Sequence, residues 1–442
     1  MSPVNTGRLK KALVVESPDP VLDELLLAEG IDVDRRSEVP DEATLTRWLA
    51  DGGHDVLFKR SRVPVTREVV AAAPRLSLVQ LCCIGDDSVD KQACADHGVL
   101  VFNDPVSNGR SVVELAMGHL VALSRRLYET YNHTRDGGFD KSQAERFEVH
   151  GRTLGVFGLG NIGRQTARAA EAFGMKILFY DTREVAREVG VEMGWEMAPT
   201  IEALFRRSDA VTVHVSAEDA RGRSNRGLIL REHFAALAAD RPAPSPRLFL
   251  NLARGFLYEP NDLLAAISAG EVRRAAVDVY PDEPRGSAPW NNPYAGEPRV
   301  ATTPHLGAAT VDAQPRIARR VAQSVRAFSR FGAIRDCVLR PRLHIGIGDL
   351  DSVGALLAVT HSTVRGSRKA LQDAIFDAGA SNLSTVHQDF EEYGVAYDLL
   401  ALDRPLALEQ LEAIALRAVR VTGDERAIRR IRQLVLDGSA GA

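Results

Sequence analysis

The sequence predicts an α/β protein with two doubly wound parallel-sheet domains, flavodoxin-like and Rossmann, followed by a ferredoxin-like domain. Three observations carry this. Short continuous apolar runs alternate with helical patterns over the first 280 residues, as in parallel sheets covered on both faces. A G-x-G-x-x-G segment, Gly158 to Gly163, stands directly after one such run and opens a helix. From about residue 340 the order becomes βαββα, with room for one more strand.

The elements follow in chain order. Ala12–Val15, Val56–Phe58, Leu78–Cys83 and Val99–Phe102 read as strands, with helical patterns at Val21–Leu27 and Thr44–Ala50 between them. Val112, Leu115, His119, Leu120, Leu123 and Leu127 recur at helical spacing and predict one long helix. A second block has strands at Leu154–Phe157, Lys176–Tyr180, Ala210–Val215, Leu248–Leu252 and Ala275–Val279. The prolines of Arg241–Arg247 mark a loop, 281–304 reads as irregular, and Ala313–Phe328 reads as a helix. Then come a strand at Leu356–Thr360, a helix at Ser367–Asp377, strands at Leu383–Phe390 and Val395–Leu402, and a helix at Leu408–Ala418. Two candidates compete for the last strand, Ala418–Thr422 and Arg426–Leu436.

Composition excludes several classes. The 55 Lys and Arg nearly balance 59 Asp and Glu, for a net charge of −4, which argues against a nucleic-acid-binding surface. No apolar run approaches the ~18 residues of a membrane span, and the first residues carry no signal-like apolar core. The cytoplasm is the expected compartment. Cys82, Cys83, Cys94 and Cys337 lack metal-ligand spacing and read as reduced thiols. Only seven of the 55 basic residues are Lys, which singles out Lys141.

In the fingerprint each glycine has a mechanical reason. Gly158 permits the tight turn, Gly160 lets the backbone approach a pyrophosphate, and Gly163 lets helix and strand pack closely. The helix N-terminus, from Asn161 and Ile162, faces phosphate charge. Asp181 ends the following strand, where a carboxylate can accept ribose hydroxyls and repel a 2′-phosphate. NAD is therefore the expected cofactor, with Arg183 keeping NADP as the alternative.

Three charged residues follow strand ends: Arg254 in Asn251–Gly255, Glu283 in Asp278–Pro284, and His305 in Thr302–Gly307. Taken singly they read as a surface ion-pair partner, a solvated loop charge and a satisfied interior histidine. Spacing alone does not bring them together.

In order, however, the segments resemble the D-isomer-specific 2-hydroxyacid dehydrogenase family. G-x-G-x-x-G with its distal Asp, N-x-A-R-G, D-V-(F/Y)-x-x-E-P and T-P-H-(I/L)-G are all matched. The resemblance implies that Arg254, Glu283 and His305 converge. His305 would act as base, Glu283 would orient and charge the imidazole, and Arg254 would hold the substrate carboxylate. It implies NAD contacts from Gly158, Gly160, Asn161, Ile162, Gly163, Asp181, His214, Val215, Ala253, Asp278, His305 and Gly307.

Lys59-Arg60-Ser61-Arg62 stands at a strand end, where two arginines and backbone amides suit an anion. A solvated basic turn is the plainer reading. Within the family these segments look most like the branch that oxidises 3-phosphoglycerate to 3-phosphohydroxypyruvate, at the entry to serine biosynthesis. That implies substrate contacts from Arg60, Ser61, Ile84, Gly85, Asn108, Arg254 and Gln314. Phe139-Asp-Lys141 resembles a W-N-K segment that reaches a phosphosubstrate from a neighbouring subunit. Departures are Phe139 for Trp, Asp86-Asp87 for Thr-Asn, Ser216 for Pro, and a longer loop at Arg241–Arg247. The alternatives are a dehydrogenase for another D-2-hydroxy acid, such as 2-hydroxyglutarate, and an NAD-sensing corepressor-like binding protein.

Residues from about 353 resemble an ACT domain. His361-Ser-Thr363 stands where the family has a histidine and an asparagine that bind an amino-acid effector, serine. The implied effector residues are His361, Thr363 and Asn382; a domain that only joins subunits is the other reading. Residues 1–110 with 306–337 are expected to form the substrate domain, 111–305 the NAD domain and 343–442 the ACT-like domain. A homodimer or homotetramer is expected.

Overall fold

The computed structural model describes residues 4–219, 223–284, 290–340 and 343–436. They build three large sheets. The first is parallel, and its five strands lie in the spatial order Asp32–Arg35, Lys11–Val14, Val56–Lys59, Leu78–Leu81, Leu100–Phe102. In chain order that is 2-1-3-4-5, the flavodoxin-like arrangement. The other four strands are largely apolar and buried, as sequence predicts. Asp32–Arg35 went unpredicted because three of its four residues are charged, which an edge strand tolerates.

The second sheet has seven parallel strands in the order Val300–Thr302, Arg274–Val277, Leu248–Asn251, Ala210–Val213, Thr153–Phe157, Lys176–Tyr180, Glu196–Met197. Numbered along the chain this is 7-6-5-4-1-2-3, the Rossmann winding extended by one strand. Its first strand and its fourth, Ala210–Val213, are neighbours, and the winding reverses between them. Crevices at such switch points receive ligands. Both outer strands, Glu196–Met197 and Val300–Thr302, are too short for a periodic signal. Apolar clusters pack both faces of the sheet: Phe205, Phe234, Phe249 and Tyr258 on one, and Met117, Leu120, Leu154 and Phe179 on the other.

The expected long helix is two helices, Gly109–Ser124 and Leu127–Arg135. Arg126 between them adopts φ 57°, a left-handed conformation that stops the first helix. Apolar spacing survives this break, so periodicity could not reveal it.

The third sheet is Val4–Thr6, Ile428–Val435, Ala355–Ser362, Val395–Leu402, Asn382–Phe390. Without Val4–Thr6 it is the 4-1-3-2 antiparallel order of a βαββαβ unit, backed by helices Ser367–Asp377 and Leu408–Thr422. The second candidate for the final strand is the one that forms; Ala418–Thr422 completes the preceding helix. Unpredicted is Val4–Thr6, which adds in parallel to Ile428–Val435.

The chain divides into two compact units: Met1–Pro105 with Gln314–Ala442, and Val106–Ala313. The first and third sheets share the first of these units. Their junction is polar and buried. Arg432 donates to Phe328 O at 2.6 Å and lies 4.0 Å over the Phe328 ring, and Tyr397 Oη donates to Gly332 O at 2.6 Å.

Candidate active site

Within the unit Val106–Ala313, the fingerprint turn lies at the switch point. Gly158 has φ +92°, and a Cβ there would stand 2.7 Å from His214 O. A Cβ on Gly163 would stand 2.0 Å from Gly158 O, so the helix Asn161–Ala172 approaches its strand only with glycine. Gly160 differs: a Cβ there would meet only Arg183 Nη2, at 3.7 Å. The turn is thus closed toward the sheet and open beyond Gly160, beside the helix N-terminus, where a pyrophosphate fits. His214 is half-buried beside it; desolvation pushes its value down to about 4, so the ring is neutral, and Nε2 lies 3.0 Å from Thr212 Oγ1.

Asp181 is where sequence puts it, but already engaged. Its Oδ1 accepts from Arg183 N at 2.9 Å and Arg183 Nε at 3.0 Å. Its Oδ2 accepts from Arg183 Nη2 at 2.7 Å and Leu159 N at 2.8 Å. Burial alone would raise this carboxyl, but the Arg183 hydrogen bonds and charge outweigh burial and hold it below its ordinary value. The expected acceptor of ribose hydroxyls is therefore a neutralised pair.

Arg254, Glu283 and His305 follow the ends of neighbouring strands in the same unit. Asn251, fully buried, clamps the turn before Arg254: its Nδ2 donates to Arg254 O at 2.9 Å and its Oδ1 accepts from Ala253 N at 3.0 Å. Gly255 then has no substitute, since a Cβ would stand 1.9 Å from the Tyr280 carbonyl carbon. Tyr280 N donates to Glu283 Oε1 at 3.3 Å, and Glu283 Oε2 lies 2.8 Å from His305 Nδ1. Arg254 is close enough for its charge to act on both Glu283 and His305.

His305 occupies a left-handed conformation, φ 57°, which an ordinary side chain adopts only under constraint. The constraint is Asp278. Its carbonyl accepts from His305 N at 2.9 Å. Its Oδ1 accepts from Thr303 Oγ1 at 2.6 Å and Leu306 N at 2.7 Å, and its Oδ2 from Gly307 N at 2.9 Å. Asp278, expected as a cofactor contact, is buried with both oxygens engaged in shaping the histidine turn. Thr303 and Tyr280, whose Oη donates to Thr303 O at 2.9 Å, went unremarked in sequence. Their positions inside the quoted motifs were the available signal.

The hydrogen bond to Glu283 raises the His305 pKa, against burial, which lowers it; the nearby negative charges of Glu283 and Asp278 add to the rise and Arg254 subtracts. For Glu283 burial raises and His305 lowers, with a net fall. The pair is a carboxylate-oriented imidazole with Nε2 left to exchange a proton.

The expected substrate residues divide between the units. Asn108 and Lys141 lie with Arg254; Arg60, Ser61, Ile84, Gly85 and Gln314 lie in the other. Asn108 Oδ1 is buried without a hydrogen-bond partner, an acceptor a ligand can satisfy. Lys141 and Phe139 are exposed, Phe139 by 82%.

The Arg60 turn corrects an expectation. Two of its amides are already engaged: Arg60 N and Arg62 N donate to the two oxygens of buried Glu16, each at 2.7 Å. Glu16 carries no apolar or motif signal and was missed. Asp86, the unexpected negative charge, is met by Lys91 Nζ at 3.3 Å. The effector residues do not meet within one chain. His361 is buried in its strand and bonded to Asp398. Asn382 sits opposite Leu402, whereas His361 sits opposite Ala396, at the far end of the sheet.

Comparison with known proteins bears on this geometry. Residues 117–307 match the D-isomer specific 2-hydroxyacid dehydrogenase NAD binding domain. The chain is 34% identical over 289 residues to D-3-phosphoglycerate dehydrogenase of Methanocaldococcus jannaschii, covering 65% of this chain and 52% of that protein. With D-3-phosphoglycerate dehydrogenase of Dictyostelium discoideum it shares 32% over 336 residues, covering 75% and 78%. The D-lactate dehydrogenase of Aquifex aeolicus, solved with NAD and lactic acid, superposes with a TM-score of 0.60 at 23% identity, over 72% of this chain and 95% of that one. The match spans about half the length of the archaeal relative.

Proposed function

From the premise that this chain belongs to the D-isomer-specific 2-hydroxyacid dehydrogenase family, we propose that it is an NAD-dependent oxidoreductase converting 3-phosphoglycerate to 3-phosphohydroxypyruvate. The observation that carries the chemistry is the His305–Glu283 pair beside Arg254. The names of the relatives that match over most of the chain support the substrate.

The residues fit the cofactor, since the turn is open at Gly160 and closed at Gly158 and Gly163. Asn161 and Ile162 open the helix that would face its pyrophosphate, Val215 and Ala253 would flank it, and Arg183 and Asp181 would border its ribose. When bound, NAD supplies the hydride acceptor. His305 Nε2 takes the hydroxyl proton during oxidation and returns it during reduction. Glu283 holds the imidazole through Nδ1 and stabilises the imidazolium that forms. Arg254 pairs with the substrate carboxylate and polarises the neighbouring carbonyl, an electrostatic contribution made without reorganisation because Asn251 already fixes its backbone.

Serine biosynthesis is the place this reaction implies, and Lys141 would serve a neighbouring subunit of a homo-oligomer. Among the described residues no helix is long and apolar enough to cross a membrane. Amino-acid feedback through His361, Thr363 and Asn382 would need residues from two chains, since His361 and Asn382 stand at opposite ends of the sheet. The reading is tested by NADH oxidation with 3-phosphohydroxypyruvate, 2-oxoglutarate and glyoxylate side by side. Preference for the phosphorylated acid is expected; no turnover of it overturns the substrate assignment.

A further inference from the structure

The proposed reaction leaves unused a cluster in the third sheet. His361, Asp398 and His387 lie on three adjacent strands: Asp398 is opposite His387 on one side and Val359 on the other, with His361 two residues beyond Val359. Antiparallel register and the two-residue period put all three side chains on one face. It is the helix-covered face, since Val359 belongs to the core and Arg368 of the covering helix stands 3.6 Å from Asp398. Asp398 is fully buried, His361 nearly so, and His387 about a quarter exposed.

Each imidazole turns one nitrogen toward Asp398. His361 Nδ1 is 2.8 Å from Ser362 O and its Nε2 is 3.1 Å from Asp398 Oδ2. His387 Nε2 is 3.2 Å from Asp389 Oδ1 and its Nδ1 is 2.6 Å from Asp398 Oδ1. Every one of these four neighbours is an acceptor. The outer nitrogen of His361 faces a carbonyl and so carries a proton. In the neutral ring that leaves a lone pair on its inner nitrogen, aimed at a carboxylate that can only accept, and neutral His387 can turn a lone pair to the same carboxylate. A single divalent ion would take both lone pairs and the carboxylate together.

The outer contact of His361 is what a metal site requires. Ligating histidines donate their second N–H to a carbonyl or carboxylate, which fixes tautomer and ring orientation. The three candidate donor atoms lie within 4.8 Å of one another, so the ring and carboxylate shifts needed for bonds of about 2.0–2.2 Å are small. We propose that His361 Nε2, His387 Nδ1 and Asp398 bind a divalent transition-metal ion of the zinc class, with the fourth position open toward the exposed edge of His387. Two imidazoles and one carboxylate are borderline donors that select zinc, cobalt or nickel over calcium or magnesium. Bound there, the ion ties together three strands of the sheet.

The test uses the full-length chain, stripped with a chelator and dialysed, titrated with Zn²⁺ by calorimetry and with Co²⁺ by visible absorption. The expected result is one saturable equivalent per chain, Co²⁺ bands of low-coordinate geometry, and a zinc-dependent rise in melting temperature. His387→Gln, at the partly exposed ligand, is expected to weaken zinc binding at least 10-fold and to abolish the rise. His361→Gln should do the same; if that buried change prevents folding, His387→Gln alone decides. Absence of saturable binding by the wild-type chain, or equal binding by folded His387→Gln, overturns the proposal and leaves a proton-filled imidazolium–carboxylate cluster.

Discussion

His305 Nδ1 stands 2.8 Å from Glu283 Oε2, and the other carboxylate oxygen is held by the Tyr280 amide. The hydrogen bond and charge of Glu283 raise the His305 pKa above its ordinary value, ~6.5. Oxidation needs the neutral imidazole, so kcat/KM for oxidation should rise with pH through a midpoint above that value. Reduction needs the imidazolium and should fall through the same midpoint. In Glu283→Gln the carboxylate charge is gone, and both midpoints should move to lower pH along with a loss of rate. Profiles measured in both directions check this; midpoints unmoved by the substitution would detach Glu283 from the base.

Arg254 is presented by a backbone that Asn251 clamps and that Gly255 alone can follow. Arg254→Lys keeps the charge but loses the planar fork that grips a carboxylate. A loss of about 10²–10³ in kcat/KM is expected, the scale of removing one preorganised electrostatic donor. Steady-state kinetics with unchanged circular dichroism checks it. A variant within a few-fold of wild type would remove Arg254 from substrate binding.

The contrast between Arg254 and Glu16 shows what sequence made legible. The central strands and the glycine turn were readable because burial and close approach leave apolar runs and glycines at set positions. The ordered motifs around Arg254, Glu283 and His305 implied convergence, which the geometry of the Val106–Ala313 unit supplies. Three kinds of feature were hidden. Arg126 breaks a helix through one backbone angle, with apolar spacing intact on both sides. Asp32–Arg35 is a charged edge strand, recognisable only from its neighbour. Glu16 and Arg183 act through partners that pattern does not reveal: Glu16 through amides more than 40 residues away, and Arg183 by turning Asp181 into an ion pair.

That ion pair predicts the cofactor preference. Arg183 neutralises the carboxylate that would otherwise repel a 2′-phosphate, and it lies beside the open edge of Gly160. Arg183→Ala should bare Asp181 and make the chain more selective for NADH. The ratio of kcat/KM for NADPH to that for NADH should fall by about 10-fold, one such factor being 1.4 kcal/mol. A ratio that stays constant would place the guanidinium away from the ribose.

Glu16 makes the last case. It adopts φ 61°, is 2% exposed, and accepts from Arg60 N and Arg62 N at 2.7 Å each. Its charge also raises the Lys59 value, partly offsetting the burial that lowers it. In Glu16→Gln an NH₂ group must face one of those two amide donors, and the charge opposite Lys59 disappears. An unsatisfied buried donor costs about 1–3 kcal/mol. The urea midpoint should therefore fall with little change in its slope. Because the same carboxylate shapes the turn carrying Arg60 and Ser61, KM for the phosphorylated acid should rise more than kcat falls. Loss of stability without the KM effect would leave Glu16 a purely structural acid; loss of neither would mean that the Arg60 turn holds its shape without it.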